Sequence, residues 1–251
     1  MKIICVEGIV MSETNYSETS KILNVYTKEL GIIGIMSKGC RSLKSKLRSV
    51  SGKLIMGKFN IYYKENSLSI LISVDVLNSY LEIRKDINKI SYASYLLDLT
   101  TQVFKQSNSE EIFELLINAL EKINNNIDAL VITNIIEIKM LEYLGVLPII
   151  DSCSKCGNDK LIKTISVLDG GYICQNCYDG EYIYDEKAIK LIRMFYLVDL
   201  KNVNKIDISD KIKKQLNKFI KEYYEEYTGL YLKTKKLVSI LDNKTKNEAY
   251  N

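Results

Sequence analysis

The chain has 251 residues, of which 47% are apolar and 26% charged, and its formal net charge is +4. That is ordinary for a globular protein of one large domain or a few small ones, and no run of ~18 apolar residues marks a membrane span. There is no histidine, which excludes the Ser-His-Asp triad, the Cys-His pair, histidine-bearing zinc active sites and any general base with an unperturbed pKa near neutrality. A G-x-x-x-x-G-K-[ST] loop and a compact run of paired carboxylates are also missing, so the chain is expected not to be an enzyme and no catalytic residue is assigned.

From Met1 to about Tyr80 the pattern is that of strands. Lys2 to Ser12 reads as a first β segment and Lys21 to Thr27 as a second, joined through Lys28-Glu-Leu-Gly31 to a third at Ile32 to Ser37. Leu54 to Tyr63 and Leu68 to Leu77 follow, with Lys64-Glu-Asn-Ser67 as the hairpin between them. In the last segment Leu68, Ile70, Ile72, Val74 and Val76 alternate with Ser69, Leu71, Ser73 and Asp75, the period of a half-buried strand. Five strands with a long loop before the fourth suit a small closed barrel of the OB type over residues 1–80. Gly8, Gly31, Gly34 and Gly57 fall where such a barrel needs bends or close backbone approach.

The long loop is where the charge collects. Between Met36 and Lys58 stand Lys38, Arg41, Lys44, Lys46, Arg48, Lys53 and Lys58, seven cations with no acid, so the rest of the chain carries −3. This is the pattern of an anion-binding patch. Around a barrel mouth such side chains can neutralise phosphates with little sequence preference and strong salt dependence. Lys38 and Arg41 lead the candidates because Gly39 lets the loop approach a backbone closely, and Lys44, Lys46 and Arg48 follow; the competing reading is a solvated loop that binds nothing. Tyr16, in the loop after the first strand, and one of the adjacent pair Tyr62 and Tyr63 could stack on bases, although a strand tyrosine is more often packing. Cys5 reads as a small core residue of the first strand and Cys40 as a small loop residue.

Helical periodicity then takes over. Ile83, Ile87, Ile90, Ser94, Leu97, Thr101 and Phe104 share one face, and Ser107 with Glu110 resembles a capping box before a second helix bearing Ile112, Phe113, Leu116, Ala119, Leu120 and Ile123. A third helix from about Ile127 to Leu144 ends at Gly145, with Pro148 as a stop signal beyond it. Asp185 to about Leu197 and Ser209 to about Tyr227 read as two more, packing on the earlier three. Residues 242–251 are polar enough to be a disordered tail. The helical domain is thus expected in two parts, 81–150 and 182–241, interrupted by residues 151–181.

The interruption holds Cys153-Ser-Lys-Cys156 and Cys174-Gln-Asn-Cys177, two C-x-x-C pairs seventeen residues apart. Each pair can offer two corners of a tetrahedral zinc shell. Leu161 to Val167, the turn Asp169-Gly170-Gly171 and Tyr172-Ile173 read as a small β-ribbon between them. Two disulfides or a redox dithiol are the alternatives. Disulfides need an oxidising compartment, and Glu7 interrupts the N-terminal segment before an apolar stretch of signal-peptide length can form. One structural Zn2+ held by Cys153, Cys156, Cys174 and Cys177 is the preferred reading, with no position left open for a catalytic water. The expected location is the cytoplasm, in association with the nucleoid.

An OB barrel with a basic loop, a helical body and an inserted four-cysteine ribbon resembles the bacterial RecO family of recombination and repair mediators over about residues 1–237. The carriers are Thr27-Lys-Glu-Leu-Gly31, Ser37-Lys-Gly-Cys-Arg41, Leu144-Gly-Val-Leu-Pro148, Cys153-x-x-Cys156-Gly157 and Gly170-Gly171-Tyr-Ile-Cys174-x-x-Cys177. The chain departs from the family in having Cys40 where a small residue is usual, Ser42 in place of a second arginine, and Leu232-Lys-Thr-Lys-Lys for the usual Lys-Ser-Arg pattern. The resemblance implies a non-enzymatic mediator that binds single- and double-stranded DNA, anneals complementary strands, engages the C-terminal tail of single-strand-binding protein, and works with RecR to help load RecA. Two other readings compete: a zinc-stabilised protein-interaction adaptor with incidental nucleic-acid binding, and a zinc-dependent nuclease or deaminase. The last lacks the His-x-Glu or Cys-x-Glu element that such deaminases place beside zinc.

Overall fold

The computed structural model describes residues 2–232 and 234. The expected tail at 242–251 lies outside them. The chain divides into two compact units: residues up to Lys85 with Asn108–Glu114, and Asp86–Ser107 with the chain from Leu115 onward.

The first unit is a closed five-stranded barrel: β1 (Lys2–Tyr16), β2 (Ser20–Thr27), β3 (Gly31–Ser37), β4 (Met56–Tyr63) and β5 (Ser69–Asn78), in the order β1-β2-β3-β5-β4. β3 and β5 pair in parallel and the other ladders run antiparallel. This is the OB architecture expected from the strand count and the loop before β4. β1 is longer than its sequence pattern indicated because it serves two ladders. Lys2–Ile9 pairs with β4 and Gly8–Tyr16 with β2, and a register shift between Val10 and Ser12 bends the strand.

Val6, Val10, Leu23, Val25, Phe59 and Ile61 meet inside. Fully burying one such side chain contributes about 1.5–3 kcal/mol, so the barrel has a core of its own. Two expectations need correcting. Cys5 is exposed, because it lies opposite in the pleat to Val6, which points inward. In β5 the inward face changes along the strand: Leu71 and Val74 pack on the core while Ile72 and Val76 are exposed. The register shift between Asn60 and Ile61 of β4 passes over Ile72 and reverses the parity of the alternation.

After β5 a single turn of helix, α1 (Leu81–Arg84), precedes α2 (Ile87–Phe104). The one helix expected from Ile83 to Phe104 is therefore two. Asp86 separates them, its carboxylate accepting hydrogen bonds from the amides of Asn88 and Lys89. α3 (Glu111–Asn124) starts with Ser109, not Ser107, accepting from the amide of Glu111. Its first turn belongs to the barrel unit, where Phe113 meets Tyr26 edge-on at 5.2 Å and Glu114 pairs with Lys28 at 3.0 Å.

The second unit centres on α4 (Ala129–Tyr143), which packs against α2, α5 (Glu186–Leu197) and α6 (Asp210–Tyr227). With neighbours on three sides, every residue from Val131 to Ile138 is buried, and the helix is apolar nearly all round. Among them Glu137 is 2% exposed and accepts a hydrogen bond from the Tyr95 hydroxyl at 2.6 Å, while Tyr224 donates to its main-chain carbonyl. α4 ends as anticipated, with Gly145 at φ 72° and the amide of Val146 reaching back to Leu141.

The ribbon has three strands where two were expected. β7 (Ile162–Ser166) and β8 (Gly171–Cys174) form the antiparallel pair, and β6 (Ile149–Cys153) joins β8 in parallel. Tyr172 donates to the Ile189 carbonyl of α5, and Tyr227 of α6 donates to that of Val167, so the ribbon is fixed to both helices. Among the described residues no helix is long and apolar enough to cross a membrane.

Candidate nucleic-acid interface and candidate metal centre

The basic loop between β3 and β4 is a succession of turns anchored at both ends. The amide of Ser42 bonds to the Gly39 carbonyl, that of Ser45 to Ser42 and that of Arg48 to Ser45. At its base Ser37 and Ser51, both fully buried, share a hydroxyl hydrogen bond of 2.7 Å. Cys40 is a buried loop residue, and Leu47 packs on the barrel core. The first turn also leans on the β1–β2 hairpin: the Arg41 amide donates to the Thr19 carbonyl at 2.8 Å, its guanidinium to the Ser17 carbonyl, and the Gly39 amide to Ser20 Oγ. Gly39 has φ 65°, and nothing stands where a Cβ would project, so glycine serves the backbone turn here.

Lys38, Arg41, Lys44, Lys46 and Arg48 are all exposed, and none forms an ion pair among the described residues. The structure thus brings the five candidates together on one anchored loop. Lys58 differs from them, since its register on β4 sets it between Glu7 and Asp75. Tyr16 ends β1 opposite Ser20, not in the loop as expected, and is 49% exposed. Of the adjacent pair, Tyr62 is the exposed member and Tyr63 packs toward the core.

The four cysteines of the ribbon also converge. Their sulfurs all lie within 4.8 Å of one another, and Cys156 Sγ is 3.7 Å from Cys174 Sγ. A tetrahedral metal with metal–sulfur bonds of ~2.3 Å sets its ligands ~3.8 Å apart, so this spacing fits a single ion. Each knuckle closes on itself: the Gly157 amide donates to the Cys153 carbonyl, and the Cys177 amide to that of Cys174. Cys153 and Cys174 are buried, Cys177 half-buried and Cys156 exposed. Burial pushes the Cys153 thiol up, but main-chain amides at Cys174, Cys156 and Lys155 outweigh it and hold the group at about 6. Cys177 is pushed up to about 12 by its hydrogen bonds to Cys156 and Cys174. Four thiolates this close repel, and a cation at their centre is what allows all four to ionise.

Lys155, inside the first knuckle, ties the site to the rest of the ribbon. Its ammonium lies 2.7 Å from Glu181 and 3.4 Å from Asp169, whose turn joins β7 to β8. The hydrogen bond from Lys155 holds the Glu181 carboxyl down at about 2. This pair is not legible in the sequence, since the partners of Lys155 stand 14 and 26 residues further along the chain.

A closed OB barrel with exposed cations on one loop, together with a helical unit bearing a ribbon able to hold a metal ion, defines a multidomain OB-fold protein. The family model described as Recombination protein O N terminal matches residues 1–80, and that described as Recombination protein O C terminal matches residues 84–236. The DNA repair protein RecO of Bacillus pumilus is 33% identical over 244 residues, covering 96% of this chain and 95% of its own. That of Listeria monocytogenes serotype 4b is 33% identical over 240 residues and that of Halalkalibacterium halodurans 32% over 241, each covering 94% of both chains. The chain belongs to the RecO family, and its role lies in DNA repair by recombination.

Proposed function

We propose that the protein is a non-enzymatic recombination mediator. It binds and anneals single-stranded DNA, also contacts duplex DNA, and with RecR helps load RecA onto strands covered by single-strand-binding protein, whose C-terminal tail it engages. The OB domain, residues 1–80, supplies the DNA contact through Lys38, Arg41, Lys44, Lys46 and Arg48. Residues 151–181 form a zinc ribbon within a helical domain of residues 81–150 and 182–241, and one Zn2+ on Cys153, Cys156, Cys174 and Cys177 serves folding only. The work is done in the cytoplasm, at the nucleoid.

The observation that carries this reading is the set of five exposed loop cations without carboxylate partners. A phosphate backbone is a ligand that recruits many such charges at once. The test is equilibrium binding to a labelled single-stranded oligonucleotide across a salt series. Affinity is expected to fall with a log–log slope of about −0.7 per phosphate contacted, independent of sequence. Lys38→Glu with Arg41→Glu weakens binding to all sequences alike and slows annealing; unchanged affinity in that variant overturns the assignment of the loop.

One feature favours the adaptor reading. A groove of about 720 Å³ beside α5 and the ribbon is lined by the apolar side chains Leu161, Met194 and Leu197, all more than half exposed, together with Lys190 and Arg193. It suits a protein segment better than a phosphate backbone. Pull-down with RecR or the tail peptide after nuclease treatment separates the two: capture by a chain that fails to bind oligonucleotide favours the adaptor.

A further inference from the structure

In the helical unit two lysines lie closer to a tyrosine ring than Lys139, whose ammonium is 5.9 Å from the Tyr196 centroid. Where the chain leaves the second knuckle, Lys163 of β7 lies over the ring of Tyr178 with its ammonium 3.6 Å from the centroid. Lys218 of α6 lies over the ring of Tyr182 at 3.9 Å. Tyr182 is 53% exposed. The segment that presents it is fixed from beneath: Thr164 donates its hydroxyl to the Tyr182 carbonyl at 2.7 Å, and the neighbouring Tyr184 is buried against Phe219.

Along α6, Lys211, Lys213, Lys214 and Lys218 follow Asp210 in the N-terminal part, and Lys221, Glu222, Glu225 and Glu226 stand in the last turns, where Lys221 pairs with Glu225. Of these lysines, Lys211 is neutralised by Asp185 and Lys213 by Asp128. Lys214 and Lys218 are exposed and, like Lys163, form no ion pair among the described residues. Unneutralised cations beside a fixed, exposed aromatic ring, that of Tyr182, answer both chemical demands of single-stranded nucleic acid, phosphates to be neutralised and bases to be stacked. An acidic protein segment would satisfy the lysines alone.

We propose that the face formed by Tyr182, Lys214 and Lys218 is a second single-strand binding surface. Tyr182 stacks a base, and Lys214 and Lys218 take the flanking phosphates. A lysine resting on a surface tyrosine is weakly held, so Lys218 can exchange the ring for a phosphate as the base arrives. The proposal rests on the DNA-binding reading for the nature of its ligand, but on other residues in the other unit.

The test uses the full chain with an oligo(dT) carrying 5-iododeoxyuridine, cross-linked by light and mapped by mass spectrometry. A cross-link at Tyr182 is expected in the native chain and in the Lys38→Glu, Arg41→Glu variant alike. Lys214→Glu with Lys218→Glu is expected to weaken oligo(dT) binding about tenfold and to reduce the salt slope by about 1.4, two phosphates at about 0.7 each. Circular dichroism checks that this exposed double variant folds. Cross-links confined to barrel peptides, with the slope unchanged in the α6 variant, overturn the proposal. So does polyglutamate that displaces oligo(dT) from this face as well as an equal charge of unlabelled DNA, which would assign it to acidic protein segments. If the barrel-loop variant retains full affinity while Tyr182 still cross-links, the loop assignment fails and this one stands.

Discussion

Gly8 and Gly57 face each other across the β1–β4 ladder, and neither position has room for a side chain. A Cβ on Gly8 would lie 2.7 Å from the Tyr26 carbonyl oxygen, and one on Gly57 2.7 Å from that of Asp75. Both obstacles are main chain, which cannot swing aside. Gly8→Ala and Gly57→Ala are each expected to destabilise the barrel by about 1–3 kcal/mol through overpacking. Gly39→Ala meets only the conformational cost of a positive φ, about 1–2 kcal/mol. Urea unfolding of the three variants measures this. Wild-type stability in Gly8→Ala would mean that β1 can shift away from β2.

The hydroxyl pair at the base of the basic loop should behave as a unit. Ser51→Ala leaves Ser37 without its Ser51 partner in a site closed to water, at a cost of about 1–3 kcal/mol. The double variant Ser37→Ala, Ser51→Ala should cost less than the sum of the single changes, because no hydroxyl is then stranded. A double-mutant cycle by denaturant unfolding reads the coupling, and strict additivity would count against the bond.

Alkali should unfold the protein by a tyrosine-linked route. Burial raises Tyr172, Tyr184 and Tyr223 to about 12, and it raises Tyr95 and Tyr224 well above the ordinary value, with Glu137 adding to the effect. These phenols stay protonated in the folded chain where the unfolded chain ionises, near pH 10. Unfolding therefore releases protons. The stability they contribute is complete below about pH 10 and falls as the pH rises toward 12. Absorbance at 295 nm should show these groups ionising together with the loss of helix, and gradual ionisation within a folded chain would contradict the burial.

Metal removal should act locally. One zinc per chain is expected by elemental analysis, and chelation or Cys153→Ser should release it. Hydrogen exchange should then accelerate across Ile149–Cys177 while the β1–β4 ladder keeps its protection. Loss of protection in the barrel as well would show that the ion supports more than the ribbon.

How far the sequence discloses this architecture depends on the range of the interactions involved. The barrel strands are legible because their side chains alternate over short stretches, and the two knuckles because both ligands of each lie within four residues. Two features depend on distant partners, and a third on a local competition. The face change at Ile72 comes from a register shift set by β4, and nothing in Leu68–Leu77 announces it. Cys5 shows a pattern overriding a propensity: cysteine is commonly buried, but the parity set by Val6 and Val10 turns it outward. β6 follows a proline, and its parallel partner lies beyond the first knuckle. It pairs there because Gly171 lets the backbones close, a Cβ being 2.4 Å from the Ile149 carbonyl oxygen. Of the candidate interface, the cations were visible as a charge run; their anchoring through Ser51 and the β1–β2 hairpin was not.

The edge-on contact between Tyr26 and Phe113 bears on the order in which the protein can be made. All five strands have been synthesised by Asn78, but the ring that covers Tyr26 has not. A barrel emerging from the ribosome carries an open apolar spot until α2 and the start of α3 have followed. A fragment cut at residue 80 retains that spot permanently, whereas one that also supplies Asn108–Glu114 closes it.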